Sequence, residues 1–187
     1  MITTRWMLFF AAWLIPLQEA RGEIEEIQIS WNAFKCQHDC IQQINRHVGS
    51  IKGVQDLKIE GSSGIANMRW NPLIRLSYEP FRYAAAAVGI NIITMRLRVK
   101  GTITHDSENI YVISHQDGTR FNLIGPLHIE PGRYIPKYNL ATHPLSNEKK
   151  EQLLLIEQQG KSVIISGPLF LPSNYPLTLI TEQIQVK

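Results

Sequence analysis

The sequence predicts an α+β fold made of two successive units. Residues 23–95 change between strand-like and helix-like apolar patterns in the order strand, helix, strand, strand, helix, strand. From residue 96 onward the pattern changes to short alternating strands, two of them joined by the strong turn pair Asp117-Gly118. A chain of 187 residues is long enough for two small units of this kind.

The first unit, residues 23–95, contains two helical patterns among four strand patterns. In the first helix Ile44, Val48 and Ile51 recur three to four residues apart on one face, and Gly53 follows as a helix stop. The predicted strands cover residues 23–34, 54–60, 65–70 and 90–95. This βαββαβ order is that of a ferredoxin-like sandwich, a four-stranded antiparallel sheet with two helices on one face.

The second predicted helix runs from Ser77 to Gly89. Ser77 is a suitable N-cap, and Pro80 lies in the first turn, where a missing N–H costs nothing. Phe81, Ala85 and Val88 form its predicted buried stripe.

The second unit, residues 96–187, has three strand patterns, a helix and two more strand patterns. The helix covers residues 146–159 with Ser146 as its cap. The strands cover residues 96–103, 109–114, 119–124, 162–171 and 177–186. This order resembles that of an OB-type small barrel.

Cys36 and Cys40, the two cysteines of the chain, lie where the first strand passes into the first helix. A helix N-terminus favours the thiolate form, and a thiolate pair suits Cu(I) or another soft metal ion. His38 lies between them and is a candidate third donor. Two alternatives stay open: a disulfide, since residues four apart on a helical turn have Cα atoms roughly 6 Å apart, and an inert loop.

Residues 26–97 resemble the heavy-metal-associated (HMA) domain family, which opens its first helix with Met-x-Cys-x-x-Cys. After Cys40 the chain has the family's apolar residues at +4, +8 and +11 and then its Gly-Val pair, namely Ile44, Val48, Ile51 and Gly53-Val54. Three residues lie between Cys36 and Cys40, one more than between the two cysteines of the family motif. When this extra residue is allowed for, Phe34 occupies the position of the motif's Met, where an apolar anchor for the loop is expected. The resemblance implies binding of a copper- or mercury-type ion by Cys36 and Cys40.

The first 22 residues predict a secretory signal peptide. Arg5 precedes a twelve-residue apolar run over residues 6–17, and Ala20-Arg21-Gly22 forms a small-x-small cleavage site. A retained membrane anchor is less favoured, because a span needs about 20 apolar residues and Pro16 interrupts this run. The sequence therefore predicts an exported chain, periplasmic or secreted, with no stable membrane span after cleavage.

Composition and motifs disfavour several classes of function. Without residues 1–22 the chain carries 17 basic and 15 acidic residues, which indicates no polyanion ligand. Arg96, Arg98 and Lys100 alternate along one strand without the interleaved aromatic residues that single-stranded nucleic acids require. Gly-x-Ser-x-Gly, His-Glu-x-x-His and phosphate-loop motifs are missing from the sequence, so we expect no enzyme.

Two hypotheses of function follow. The first is an exported soft-metal carrier, with Cys36, Cys40 and His38 at the metal and a protein partner docked by the barrel. The second is a non-metal interaction or scaffold protein that keeps a degenerate HMA fold and joins its cysteines in a disulfide.

The signal-peptide prediction is tested at the N-terminus of the mature protein. We expect the mature chain to begin near Glu23, because cleavage follows the small-x-small site. N-terminal sequencing of protein from the expressing cells measures this, and membrane-bound protein that starts at Met1 contradicts it.

Overall fold

The computed structural model of the protein describes residues 24–36, 38–126 and 143–187, with His38 described only in its backbone. Glu23 and the predicted signal peptide lie outside this part. The elements are β1 (Ile24–Trp31), α1 (His38–Gly49), β2 (Val54–Glu60), β3 (Ile65–Trp70), α2 (Glu79–Ala87), β4 (Ile92–His105), β5 (Ile110–Ser114), β6 (Arg120–Ile124), α3 (Asn147–Gln158), β7 (Ser162–Phe170), β8 (Leu177–Ile180) and β9 (Gln183–Val186). The prediction of a mixed α+β chain with a barrel is confirmed.

The first four strands form an antiparallel sheet in the order β2-β3-β1-β4. Helices α1 and α2 bury their apolar faces in a core shared with this sheet. Ile44, Val48 and Phe81 are at most 1% exposed there, as the periodicity predicted, whereas Ile51 and Val88 lie past the last residues of their helices and are only partly buried. The small residue Ala85 is also buried.

The predicted end of the first strand and the predicted cap of the second helix were wrong. Strand β1 ends at Trp31 rather than at residue 34, because Asn32 caps a 3-10 turn over Ala33–Lys35. Helix α2 begins at Glu79 with Tyr78 as its cap residue and no side-chain capping bond, so Ser77 is not the cap. Pro80 lies in the first turn of the helix, as predicted.

Strands β4, β5, β6, β8 and β7 close into a five-stranded barrel, with β7 returning to β4. Strands β6 and β8 pair in parallel, and the other neighbours pair antiparallel. Each strand contributes a side chain with 0% exposure to the interior, in chain order Val99, Val112, Phe121, Ile165 and Leu179. Helix α3 joins β6 to β7 along the chain and buries Leu153 and Ile156. This arrangement is compatible with an OB-like barrel.

Strand β4 joins the two units without a linker. It is 14 residues long and crosses the predicted boundary between residues 95 and 96 unbroken. Its Leu97 pairs with Ile27 of β1 on one edge and with Gly167 of β7 on the other. The boundary itself stays a prediction, but the backbone on either side of it belongs to one strand.

A second contact joins the units away from β4. The N–H of Leu76, in the segment between β3 and α2, donates to Asp117 Oδ2 at 3.1 Å and Thr119 Oγ1 at 3.2 Å. Asp117 belongs to the Asp-Gly turn between β5 and β6, where Gly118 has a φ of +64°. Within the described part of the chain, none of the helices has the length and apolar character of a membrane span.

The shared strand gives a test of the coupling between the units. We expect Leu97→Ala to lower the free energy of unfolding by about 2–5 kcal/mol, because Leu97 is 3% exposed between β1 and β7. Urea unfolding followed by fluorescence and circular dichroism measures this, and both probes should report one coincident transition.

The matched control is Ile93→Ala on the same strand, where the side chain is 68% exposed and the expected change is within about 0.5 kcal/mol. Equal effects of the two substitutions contradict the assignment of β4 as the shared core strand.

Candidate functional site

The two cysteines form a disulfide, with Cα atoms 5.2 Å apart. A soft metal ion needs thiolates, and the disulfide leaves neither sulfur in that form. Among the described residues no three His, Cys, Asp or Glu side chains are grouped as metal ligands. The prediction of Cu(I) or another soft metal ion at Cys36 and Cys40 was therefore wrong. The third predicted donor, the His38 side chain, lies outside the described residues.

The segment before the disulfide is fixed by local hydrogen bonds. The side chain of Asn32 accepts the N–H of Phe34 at 3.0 Å, which starts the 3-10 turn. The N–H of Cys36 donates to the carbonyl of Ala33 at 3.0 Å and ends it. The disulfide then attaches this turn to Cys40 in the first turn of α1. We call residues 32–36 together with Cys40 the braced tip.

The β2–β3 turn packs directly against the braced tip. The N–H of Trp31 donates to the carbonyl of Gly64 at 2.9 Å. Gly64 has a φ of +66°, and a Cβ there would lie 2.4 Å from the carbonyl oxygen of Trp31 and 3.2 Å from the Cβ of Ala33. Only glycine fits this approach, so the turn supports the tip from the side.

Phe34 at the apex of the braced tip is 99% exposed. The expectation that Phe34 anchors the loop in the core was wrong, because the 3-10 turn rotates its side chain away from the sheet. The tip thus holds a large aromatic side chain in solvent on a backbone that is fixed on both sides.

Arg96 and Arg98, which the sequence predicted on strand β4, are paired with carboxylates. Arg96 forms an ion pair with Glu182, and Arg98 Nε donates to Glu25 Oε2 at 2.6 Å. Their partners come from β1 and from the segment between β8 and β9, which sequence patterns did not place beside them.

Histidines 105 and 143 have partners that the sequence did not predict. His105 Nδ1 lies 2.6 Å from Glu157 Oε2 on α3. His143 is 4% exposed, its ring centroid lies 4.5 Å from that of Phe170, and its Nδ1 lies 3.2 Å from the carbonyl oxygen of Gly125. A lone histidine carries no periodic signal, so the sequence did not indicate which groups would surround it.

The turn between β4 and β5 is ordered around one carboxylate. Asp106 Oδ1 accepts the N–H groups of Glu108 at 3.0 Å and Asn109 at 2.8 Å, and these bonds lower the pKa of the Asp106 carboxyl. The Tyr111 hydroxyl donates to Oδ2 at 2.8 Å, and burial together with this carboxylate raises the pKa of Tyr111. The Arg120 guanidinium lies 3.5 Å from the centroid of the Tyr111 ring.

No protein-family profile matches the chain, and no curated protein or solved structure matches it significantly.

The disulfide gives a stability test. We expect reduction to lower the free energy of unfolding by about 2 kcal/mol, because the bond closes a loop of about five residues and restricts the unfolded chain. Urea unfolding with and without reductant measures the difference. The double variant Cys36→Ser/Cys40→Ser is the control and should not respond to reductant. Two thiols labelled by alkylation of mature protein without prior reduction contradict the disulfide.

Proposed function

We propose that this chain is an exported interaction protein that docks the aromatic side chain of Phe34 into an apolar pocket of a partner protein. The braced tip is the contact region, and the protein binds without catalysing a reaction. The observation that carries the proposal is the 99% exposure of Phe34 on a disulfide-fixed turn.

The physical argument rests on the cost of ordering a binding loop. Aromatic side chains are enriched among the residues that dominate binding energy, because each buries a large area with few rotatable bonds. A loop that is already fixed loses little conformational entropy on association. The Asn32 cap, the disulfide and the Gly64 contact supply that fixation for Phe34.

Export is supported by the disulfide and by the signal-like N-terminus. Disulfides persist in oxidising compartments and are rare in reducing ones. The predicted cleavage site near residue 22 precedes the first strand directly.

The family proposal is that the first unit is a ferredoxin-like domain of degenerate HMA type. The antiparallel strand order β2-β3-β1-β4, with α1 after β1 and α2 after β3, supports the fold. The cysteines occupy the start of the first helix, as in the HMA motif, but bind each other. In this proposal the fold and the loop position are retained and the metal is lost.

We propose an orienting role for the second unit, as an OB-type barrel. The parallel β6–β8 pair and the helix between β6 and β7 support this barrel type. Because β4 runs through both units and Leu76 bonds to the Asp117 turn, the barrel sets the direction in which the tip points. A protein contact of the barrel itself stays a prediction.

The docking proposal is tested by site-specific photocrosslinking in the expressing cells. We expect a photoreactive phenylalanine at position 34 to give one discrete protein adduct, whereas the same group at Leu73, which is 86% exposed, should not. With the purified partner, Phe34→Ala should weaken binding at least about tenfold, and Leu73→Ala should leave it unchanged. Equal adducts at both positions, or an unaltered affinity of Phe34→Ala, refute the proposal.

A further inference from the structure

A cavity of about 480 Å³ lies between the β4–β5 turn and helix α3. On α3 it is lined by Lys150 and Leu154, which lie one turn apart on the same face of the helix. Glu157 lies one turn further along this face and binds His105, the last residue of β4, whose ring also lines the cavity. The volume falls in the range of small-molecule sites, and the docking function proposed above does not use it.

Most of the cavity wall is apolar. Five aliphatic side chains contribute to it, namely those of Ile110, Leu123, Ile124, Leu145 and Leu154. Burial of apolar surface against such a wall is favourable, whereas a charged group placed there loses its hydration. The wall therefore favours a ligand whose main part is apolar.

The charges that line the cavity balance each other. Glu108 contributes one carboxylate and Lys150 contributes one cation. The Asp106 carboxylate accepts N–H groups of its own turn and the Tyr111 hydroxyl, and it is paired with Arg120. A charged ligand would lose hydration here without a net opposite charge to compensate for the loss. The wall therefore favours a neutral ligand.

The ring of His105 gives the cavity an accessible hydrogen-bond acceptor. Its side chain is 53% exposed, and its Nδ1 lies 2.6 Å from Glu157 Oε2. Because a carboxylate only accepts, Nδ1 carries the proton of the neutral ring, and Nε2 presents a lone pair. Glu157 thus fixes the tautomer in which the second nitrogen of this cavity-lining ring accepts a hydrogen bond.

We propose that this cavity binds a small neutral phenol whose hydroxyl group donates to His105 Nε2. A phenolic hydroxyl is a hydrogen-bond donor, and it stays uncharged at neutral pH because its pKa is about 10. The apolar body of the ligand packs against the aliphatic wall, which includes Leu123 and Leu154. Glu157 acts as a positioning residue, since it holds the His105 ring in the accepting tautomer.

The test compares two probes of the same apolar body on the mature protein: para-propylphenol and its methyl ether, which has no donor. Calorimetric titration at neutral pH should show the phenol binding about five- to tenfold more tightly than the ether, which is the effect of one hydrogen bond. Equal affinities of the two probes overturn the proposal. So does the absence of binding by both, which means that the cavity holds only water.

The role of His105 is tested by His105→Phe, which keeps a ring at this position and removes the acceptor. The affinity of the phenol should fall to that of the ether, and the affinity of the ether should stay unchanged, which also shows that the cavity is intact. The matched control is His115→Phe at an exposed histidine that does not line the cavity, and it should alter neither affinity. A phenol that binds His105→Phe as tightly as the original protein refutes the hydrogen bond.

The location of the ligand is tested on neighbouring residues of α3. Leu154→Trp fills part of the cavity and should remove the binding of both probes. Leu155→Trp is the matched control, because Leu155 is 53% exposed and does not line the cavity, so both probes should still bind. Thermal unfolding of each variant shows whether it is folded. Binding of the probes to folded Leu154→Trp with unchanged affinity contradicts the proposed site.

Discussion

Strand β4 belongs both to the four-stranded sheet of the first unit and to the barrel, and the rest of the architecture depends on this shared strand. Along residues 92–99 one of its edges pairs with β1, and further along the same edge pairs with β5, while β7 occupies the opposite edge. At Gly101 the backbone of Ile113 lies so close that a Cβ would be 2.2 Å from its carbonyl oxygen. The absence of a side chain there lets the barrel close on the strand that also completes the first sheet.

Sharing a strand has a mechanical consequence for the proposed docking tip. A linker between the units would let the braced tip sample many directions relative to the barrel. A continuous strand instead fixes the orientation of the first unit relative to the barrel. The Leu76 bond to the Asp117 turn adds a second point of attachment, so that hinge motion about β4 would break a buried hydrogen bond. The direction of the braced tip is therefore fixed relative to the barrel by β4 and by the Leu76 hydrogen bonds.

Sequence patterns predicted what depends on local periodicity and missed what depends on distant neighbours. The spacing of Ile44 and Val48 requires only a helix and one apolar side, so it identified the buried face of α1 without knowledge of the sheet. The outward rotation of Phe34 follows from one cap at Asn32, and apolar character alone suggested the opposite. His143 is buried against Gly125 and Phe170, which lie 18 and 27 positions away along the chain. The local sequence pattern around His143 cannot indicate contacts with residues so far away.

The two hypotheses of function differ in the state of the cysteines: a metal carrier needs two thiolates, whereas the docking protein proposed here has a disulfide. A carrier must release its ion by ligand exchange, and this requires a loop whose sulfurs are free to move toward a partner's thiolates. Joining Cys36 to Cys40 removes the ligands and restricts the loop at the same time. In the proposed docking function, this restriction holds Phe34 in a defined position and so lowers the entropy that binding of a partner would cost. In this proposal the disulfide therefore serves to hold Phe34 in place, and an oxidising compartment keeps this bond formed.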